Sequence, residues 1–424
     1  MRKFVVFLSF YLLVLSCLNA QEIDEQKLFS DEQTVVEEKE VIDLTLGQET
    51  EKESVSFSGE IMNRSLYLMH RDWLKGKGKF GENMILTDNE ADIFLDIRLK
   101  KQVKAFINLS IVNMPSHLTT TSNILDDAVK EFFIDANIDR KVYFRMGKQV
   151  LQWGRTYFWH PTDLINIDRL DFFDMARYRR GVYGLKVHMP FGSTKNFYMF
   201  TDFGDAENID GLAIAGKFEF LVGGTEYAVS AWKKKGYGPA YGFDFSTNLF
   251  AVDVAGEVSL IYERDKQQVR INNATAFLAN KADAWQTMAS LSMAKTFDWE
   301  LNDRISLVAE VFYNGSGYDT GVFTSQAKDL LFDNNLYEAN YHGKYYAAIF
   351  ASVSKFPITD MNVHANTLNN LSDGSYVLIT GLGFEPVNHL SFNFNLNWFG
   401  GPPDAEYTYF GYGLAFDVFT TLVF

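Results

Sequence analysis

A chain of 424 residues with 39 Lys and Arg against 54 Asp and Glu, net charge −15, has no stripe of basic residues for a polyanion, which argues against nucleic acid as a partner. Aromatic residues make up 16% of it, with 38 Phe, 21 Tyr and 7 Trp, a load that soluble α/β enzymes seldom carry and membrane barrels place in girdles at both interfaces. Its single cysteine, Cys17, falls in the leader, so disulfides, zinc–thiolate sites and cysteine nucleophiles are not expected in the mature chain.

The first segment, residues 1–20, has a basic start at Arg2 and Lys3, an apolar run too short to span a bilayer, and small residues before Ala20. It reads as a signal peptide cleaved after Ala20. The alternative takes Val14 to Cys17 as a lipobox with Cys17 acylated. Residues 21–54 follow as an acidic periplasmic segment, mostly disordered. Positions 21–53 hold 12 acids and 3 lysines, too much charge and too little apolar surface for a core.

From Val55 the dominant period is two. Ile93, Leu95, Ile97 and Leu99 alternate with Phe94, Asp96 and Arg98, and the pattern resumes from Val103 to Ile111 against Lys104, Phe106, Asn108 and Ser110. Ile305 to Tyr313 and Leu390 to Trp398 repeat it, with Ser306, Glu310, Asn393 and Asn395 on the polar face. About 18 such segments fit, 16 being the alternative, each near the ten residues of a tilted membrane strand. Short gaps at 139–141, 190–194, 221–224, 247–249, 297–302 and 385–388 alternate with long ones at 73–90, 114–127, 151–180, 263–284 and 314–343. Short periplasmic turns facing long outer loops make this an all-β protein, a transmembrane antiparallel up-and-down β-barrel over 55–424. Neither a sandwich nor a solenoid explains that asymmetry.

Two stretches carry resemblances. Thr408 to Phe424, with Phe410, Tyr412, Leu414, Phe416, Val418, Leu422 and Phe424 on one face, resembles the closing strand of outer-membrane barrels. The resemblance implies recognition of Phe424 by the barrel-assembly machinery; Phe419 stands where a glycine is often found. The string WGRTYFWHPTDLIN, followed by RYRRGVYGLKV, resembles a segment of a large, mostly uncharacterised group of porin-like outer-membrane proteins. Gly147, Gln149, Trp153, Gly154, Trp159, Pro161, Thr162, Asp163, Leu164, Asn166, Arg180 and Gly181 stand at matching positions, with His160 replacing an asparagine. The resemblance implies a barrel and a recurrent loop and names no substrate.

Residues 151–180 are the third outer loop, the position at which general porins fold a loop inward. Trp153, Gly154, Trp159, Pro161, Thr162, Asp163, Asn166 and Gly181 read as residues that structure it, with Thr162 and Asp163 capping a short helical turn at Leu164 to Ile167. Arg155, His160, Asp168, Arg169, Asp171, Asp174, Arg177, Arg179 and Arg180 are the candidates for a pore constriction, where facing charges would filter solutes by size and sign. The lumen is expected to be lined by Asp96, Arg98, Lys104, Glu131, Asp135, Arg145, Lys186, Glu310 and Asn393, of mixed sign and weak selectivity.

Seven scattered histidines, with no HExxH, no GxSxG and no phosphate-cradling glycine loop, give no enzyme, metal or cofactor site. A TonB-type receptor would need a plug far longer than residues 21–54. The expectation is therefore a channel of the outer membrane of a diderm bacterium, in contact with lipid and passing small solutes passively. Two alternatives stand beside it: a plugged barrel whose outer loops, especially 263–284 and 314–343, bind a partner or serve adhesion or structure, and a transporter of apolar molecules.

Overall fold

A computed structural model describes residues 53–113, 128–165, 181–204, 206, 208–273, 275–298 and 304–424. The leader, Cys17 and the acidic segment to residue 52 lie outside these residues. So do Asn166, Asp168, Arg169, Asp171, Asp174, Arg177, Arg179 and Arg180.

The period-two segments are strands. In chain order they begin with β1 (Ser54–His70), β2 (Met84–Leu99), β3 (Val103–Asn113), β4 (Val129–Ile138), β5 (Val142–Gln149) and β6 (Val182–Pro190). Next come β7 (Lys195–Asp202), β8 (Ala213–Val222), β9 (Thr225–Lys234), β10 (Ala240–Leu249) and β11 (Val252–Glu263). A separate two-stranded hairpin, β12 (Gln267–Asn272) and β13 (Thr275–Asn280), interrupts the series. It resumes with β14 (Ala284–Asp298), β15 (Arg304–Asn314), β16 (Tyr345–Ser354), β17 (Met361–Asn370), β18 (Ser375–Val387), β19 (Leu390–Gly400) and β20 (Tyr412–Val423).

Omitting the β12–β13 hairpin, the strands form one antiparallel 18-stranded sheet in which each pairs with its neighbours in sequence. β1 pairs with β20 from Glu60–Val423 to His70–Tyr412, so the sheet closes and has no edge. The last residue shares in that seam: Phe424 and Gly59 exchange two backbone hydrogen bonds of 2.8 Å.

Alternation explains the two surfaces. Phe132, Ile134, Met146, Val229, Val258, Leu378, Leu396 and Trp398 point outward and are exposed, as an apolar wall requires. Residues of the opposite parity point inward, among them Asp92, Asn108, Lys217, Asp244, Glu257, Ser290 and Glu310, all buried. Phe419 also points inward, under the Arg64 guanidinium at 4.8 Å from its ring centroid.

Two boundaries differ from expectation. The loop placed at 73–90 ends before Met84, because β2 runs for 16 residues. The turn placed at 247–249 sits at Phe250 and Ala251, both with positive φ, in the two-residue hairpin geometry that usually takes Asn or Gly. A further long connection, 401–411, joins β19 to β20.

At the long-loop end, β12, β13 and the helix α1 (Ser325–Asp333) fold together. Val269, Val322, Phe323, Ala327 and Leu331 make their core, with Tyr337 and Tyr409 against it.

Candidate functional site

The connection between β5 and β6 turns into the barrel. Its first half, residues 150–165, buries Leu151, Trp153, Phe158, Trp159 and Ile165. Two carboxylates of the far wall receive it. Glu257 of β11 accepts the amides of Arg155, Thr156 and Thr162 and both threonine hydroxyls; the Thr156 contacts are 2.7 and 2.6 Å, those of Thr162 2.9 and 2.7 Å. Glu310 of β15 accepts the Phe158 and Trp159 amides, each at 2.8 Å, and the Ser290 hydroxyl at 2.6 Å. Going round the sheet, β11 is six strands from β5 and β15 is eight, where nine would be diametrically opposite. The segment therefore crosses the interior.

Trp159 locks the crossing. Fully buried, it stacks on Phe312 with centroids 5.3 Å apart and planes 8° from parallel, and its indole nitrogen donates to the Asn340 carbonyl at 2.9 Å. Gly154 is required by closeness: a Cβ there would stand 2.6 Å from the His160 Cβ and 2.8 Å from Glu257 Oε1. Gly181 is equally confined, with a Cβ falling 2.7 Å from the Gln149 backbone.

His160, expected among constriction residues, is instead buried in the anchor. Its Nδ1 stands 3.6 Å from Glu257 Oε1, longer than a hydrogen bond and an ion pair when the ring is protonated. Burial opposes that proton, yet the Glu257 carboxylate outweighs it and the imidazole pKa lies above its ordinary value. The turn at Pro161 and Thr162 closes on the His160 carbonyl, which accepts the Asp163 amide at 3.1 Å. Leu164 and Ile165 are not helical and the Thr162 hydroxyl goes to Glu257 rather than to a cap; the rest of the expected turn, Asn166 and Ile167, lies outside the described residues.

Arg155 projects into a cluster of acids. Its guanidinium donates to Asp244 at 2.6 Å, Glu219 at 3.0 Å and Glu226. Lys217 joins from β8, donating to the Trp153 carbonyl at 2.6 Å and pairing with Glu219 at 3.2 Å and Asp244 at 3.3 Å. Three carboxylates against two cations leave this sector with one net negative charge. Glu226, with its side chain about half exposed, is the member that meets solvent.

The other expected lumen residues form pairs along β2 to β6. Asp96 is held by Lys104 at 3.1 Å and Arg98 at 3.4 Å, and Arg145 grips Asp135 with bonds of 2.7 and 2.8 Å while lying 3.8 Å over the Phe133 ring. Glu131 accepts the Val150 amide at 2.8 Å, fixing the start of the crossing segment; Lys186 stands opposite Arg145 and Asn393 opposite Phe419. Glu310 faces inward but lies wholly beneath the segment.

Glu257, Glu219, Glu226, Asp244 and Glu406 were not anticipated. The first four share the polar face of their strands, so parity alone could have nominated them. Glu406 lies in the 401–411 connection and ties it to the 315–344 loop and to the ends of β16 and β17, accepting the Asn340 amide at 2.9 Å, the Tyr346 hydroxyl at 2.6 Å and the Asn370 amide group at 2.8 Å. Burial raises its pKa to about 7 despite those donors. Nearby His342, packed on Tyr318, Phe323 and Tyr337, has its pKa lowered by burial to about 3. Among the described residues, no group of His, Cys, Asp and Glu is arranged to hold a metal.

No protein family model and no curated protein matches the sequence. The fold does match solved structures. OccK8 (OprE) of Pseudomonas aeruginosa superimposes with a TM-score of 0.52 at 6% identity, over 88% of this chain and 98% of that one. OccAB1 of Acinetobacter baumannii gives 0.51 at 12% identity, over 87% and 96%, and a BenF-like porin from Pseudomonas fluorescens Pf-5 gives 0.51 at 7%, over 88% and 98%. At such identities the likeness is one of fold.

Proposed function

We propose that the chain is an outer-membrane, porin-like channel for passive passage of small solutes, with loop 151–180 narrowing its lumen. The carrying observation is the chord across the barrel: a segment leaving β5 whose amides end on Glu257 and Glu310, six and eight strands away. A closed sheet with an apolar outer wall and a charged inner one suits a bilayer, and a chord through such a sheet leaves passages only beside it. Arg155 with Glu219, Glu226 and Asp244 would line one of them, giving it a mild preference for cations. The same reading takes residues 1–20 as the leader cleaved after Ala20 and Phe424 as the mark for barrel assembly, and it keeps the resemblance of the WGRTYFWHPTDLIN segment as that of a loop-forming signature.

The test is single-channel conductance of the full chain in planar bilayers. Discrete, mildly cation-selective steps are expected. Bilayers that stay closed with folded protein inserted would overturn the channel. A deletion of 156–180 that leaves conductance unchanged would overturn the narrowing.

One observation favours a second reading, a plugged barrel that binds at its surface: β12, β13 and α1 have a core of their own at the long-loop end. Closed bilayers together with specific retention of an external partner by these loops would select it. Uptake of apolar molecules has less support, since Trp153 is consumed by packing against Leu151, Ile165, Val182, Phe200 and Ala215.

A further inference from the structure

The outer wall is zoned along β9, β10, β11 and β14. Nearest mid-strand, Val229, Phe243 and Val258 are exposed and apolar. One to two steps toward the long-loop end, Tyr241, Tyr262 and Trp285 form an aromatic band, Trp285 stacking on Tyr241 at 5.9 Å and meeting Tyr262 edge-on at 5.3 Å between centroids. Two cations complete the zone: Lys233 on β9, level with Tyr262 and Trp285, and Arg264 one step farther, just past the end of β11. Residues of one parity face one side of a strand, so Val229, Ala231 and Lys233, and likewise Val258, Leu260, Tyr262 and Arg264, share the outward face.

Register places the cations across the same short arc. Ala240 pairs with Trp232 on one side and Ile261 on the other, so Lys233 and Tyr262 flank Pro239 at one level, two strand spacings or roughly 10 Å apart. Neither cation has a carboxylate partner among the described residues. Lys233 donates to the Tyr237 carbonyl of its own turn, and Arg264 lies 5.5 Å over the Tyr262 ring. Most neighbouring acids are engaged elsewhere, Glu263 by Lys266 and Lys281, Asp210 by Lys235 and Asp283 by the Asp265 amide, and the Asp265 carboxylate, next in sequence to Arg264, forms no ion pair with it.

An apolar belt, an aromatic band and then cations is the order of groups a lipid presents as acyl chain, interface and phosphate. The sector formed by β18 and β19 lacks the last element. There Tyr376 and Trp398 are exposed on the outward face, and the next outward positions are Gly374 and Gly400.

We infer that Lys233 and Arg264, at the upper edge of the band of Tyr241, Tyr262 and Trp285, form a site on the outer wall for the phosphate-bearing headgroup of a lipid in the leaflet on the long-loop side. The site rests on the membrane reading proposed above. Bound there, the phosphate receives the Lys233 ammonium and the Arg264 guanidinium while its acyl chains lie along Val229, Phe243 and Val258.

The test uses full chain refolded from denaturant into detergent without native lipid, with lipid A, its dephosphorylated form and inorganic phosphate as probes, read by native mass spectrometry. Wild type retains lipid A at least tenfold more strongly than the Lys233→Gln, Arg264→Gln double variant. A Lys75→Gln, Lys77→Gln pair in another outer loop leaves retention unchanged, and Arg264→Lys restores part of it. The site is overturned if the double variant, shown folded by heat-modifiable electrophoretic mobility, retains lipid A as wild type does, if the dephosphorylated lipid is held equally, or if inorganic phosphate displaces lipid A. Flotation with vesicles separates the two inferences: protein that inserts but ignores the phosphate refutes only this site, and protein that fails to insert refutes the membrane reading.

Discussion

Glu257→Gln isolates the anchor of the crossing segment. Glutamine keeps the shape of the side chain but offers a single acceptor oxygen, so the donors now served by the other oxygen meet an NH2 group. At least two of the five bonds, those of the Thr162 amide and hydroxyl, are lost in one orientation, and the three to Arg155 and Thr156 in the other. At about 1.5–3 kcal/mol for each bond to a charged acceptor, two losses cost about 3–6 kcal/mol. A cost near 4 kcal/mol shifts the docked-to-released ratio roughly a thousandfold. Glu310 still holds the Phe158 and Trp159 amides, so the segment should fluctuate about that second anchor rather than leave the lumen. In planar bilayers the variant should show larger mean single-channel conductance with more open-channel noise. Unchanged conductance and noise, in a variant whose heat-modifiable mobility shows an intact barrel, would refute the anchor as the control of pore size.

Arg155→Ala leaves Glu219, Glu226 and Asp244 with only Lys217, and the reversal potential across a salt gradient should move toward greater cation selectivity. Trp159→Ala removes a fully buried indole, at a cost of about 3–5 kcal/mol to segment docking, and should raise channel noise without loss of the barrel. Because the folded-state pKa of His160 is raised, its contribution is full below about 6.5, the unfolded value, and lost as pH rises through the folded one; noise should grow with alkalinity in wild type and lose that dependence in His160→Asn. His342 has the opposite sign: its folded pKa of about 3 makes its contribution present above the unfolded value near 6.5 and lost as pH falls. Pepsin cleavage of the outer loops at pH 4, about 2.5 units below the unfolded value, should therefore slow by up to about 300-fold, or about 3.4 kcal/mol, in His342→Phe.

The barrel was legible because a closed sheet with an apolar outer and a polar inner face fixes every second residue, and a rule repeated through eighteen strands survives local exceptions. Turns were misplaced where the usual residues are missing, as at Phe250 and Ala251, whose positive φ no Gly or Asn announces. Polar parity puts Glu310 on the inner face, yet it cannot tell a wall group bathed in solvent from one sealed beneath a loop. The role of Glu257 was illegible for a related reason. Its partners Thr156 and Thr162 lie 101 and 95 residues earlier, and nothing in local spacing carries that pairing. His160 was misjudged because a histidine beside a proline in a charged loop looks solvent-facing until its far-wall partner is known.

That separation along the chain bears on biogenesis. The two carboxylates that receive the crossing are made well after it: Glu257 follows Thr156 by 101 residues and Glu310 follows Phe158 by 152. On β6, β7 and β8, Val182, Phe200 and Ala215 already cover Leu151, Trp153 and Ile165, but the stretch from Thr156 to Thr162 has no docking surface until β11 and β15 are in the sheet, so the crossing is completed only then. Loops closed over such distances carry a large entropic cost and form late. A barrel halted after β10 would thus hold an unsecured segment with Trp159 and Phe158 uncovered, a feature by which quality-control proteases could distinguish stalled barrels from finished ones.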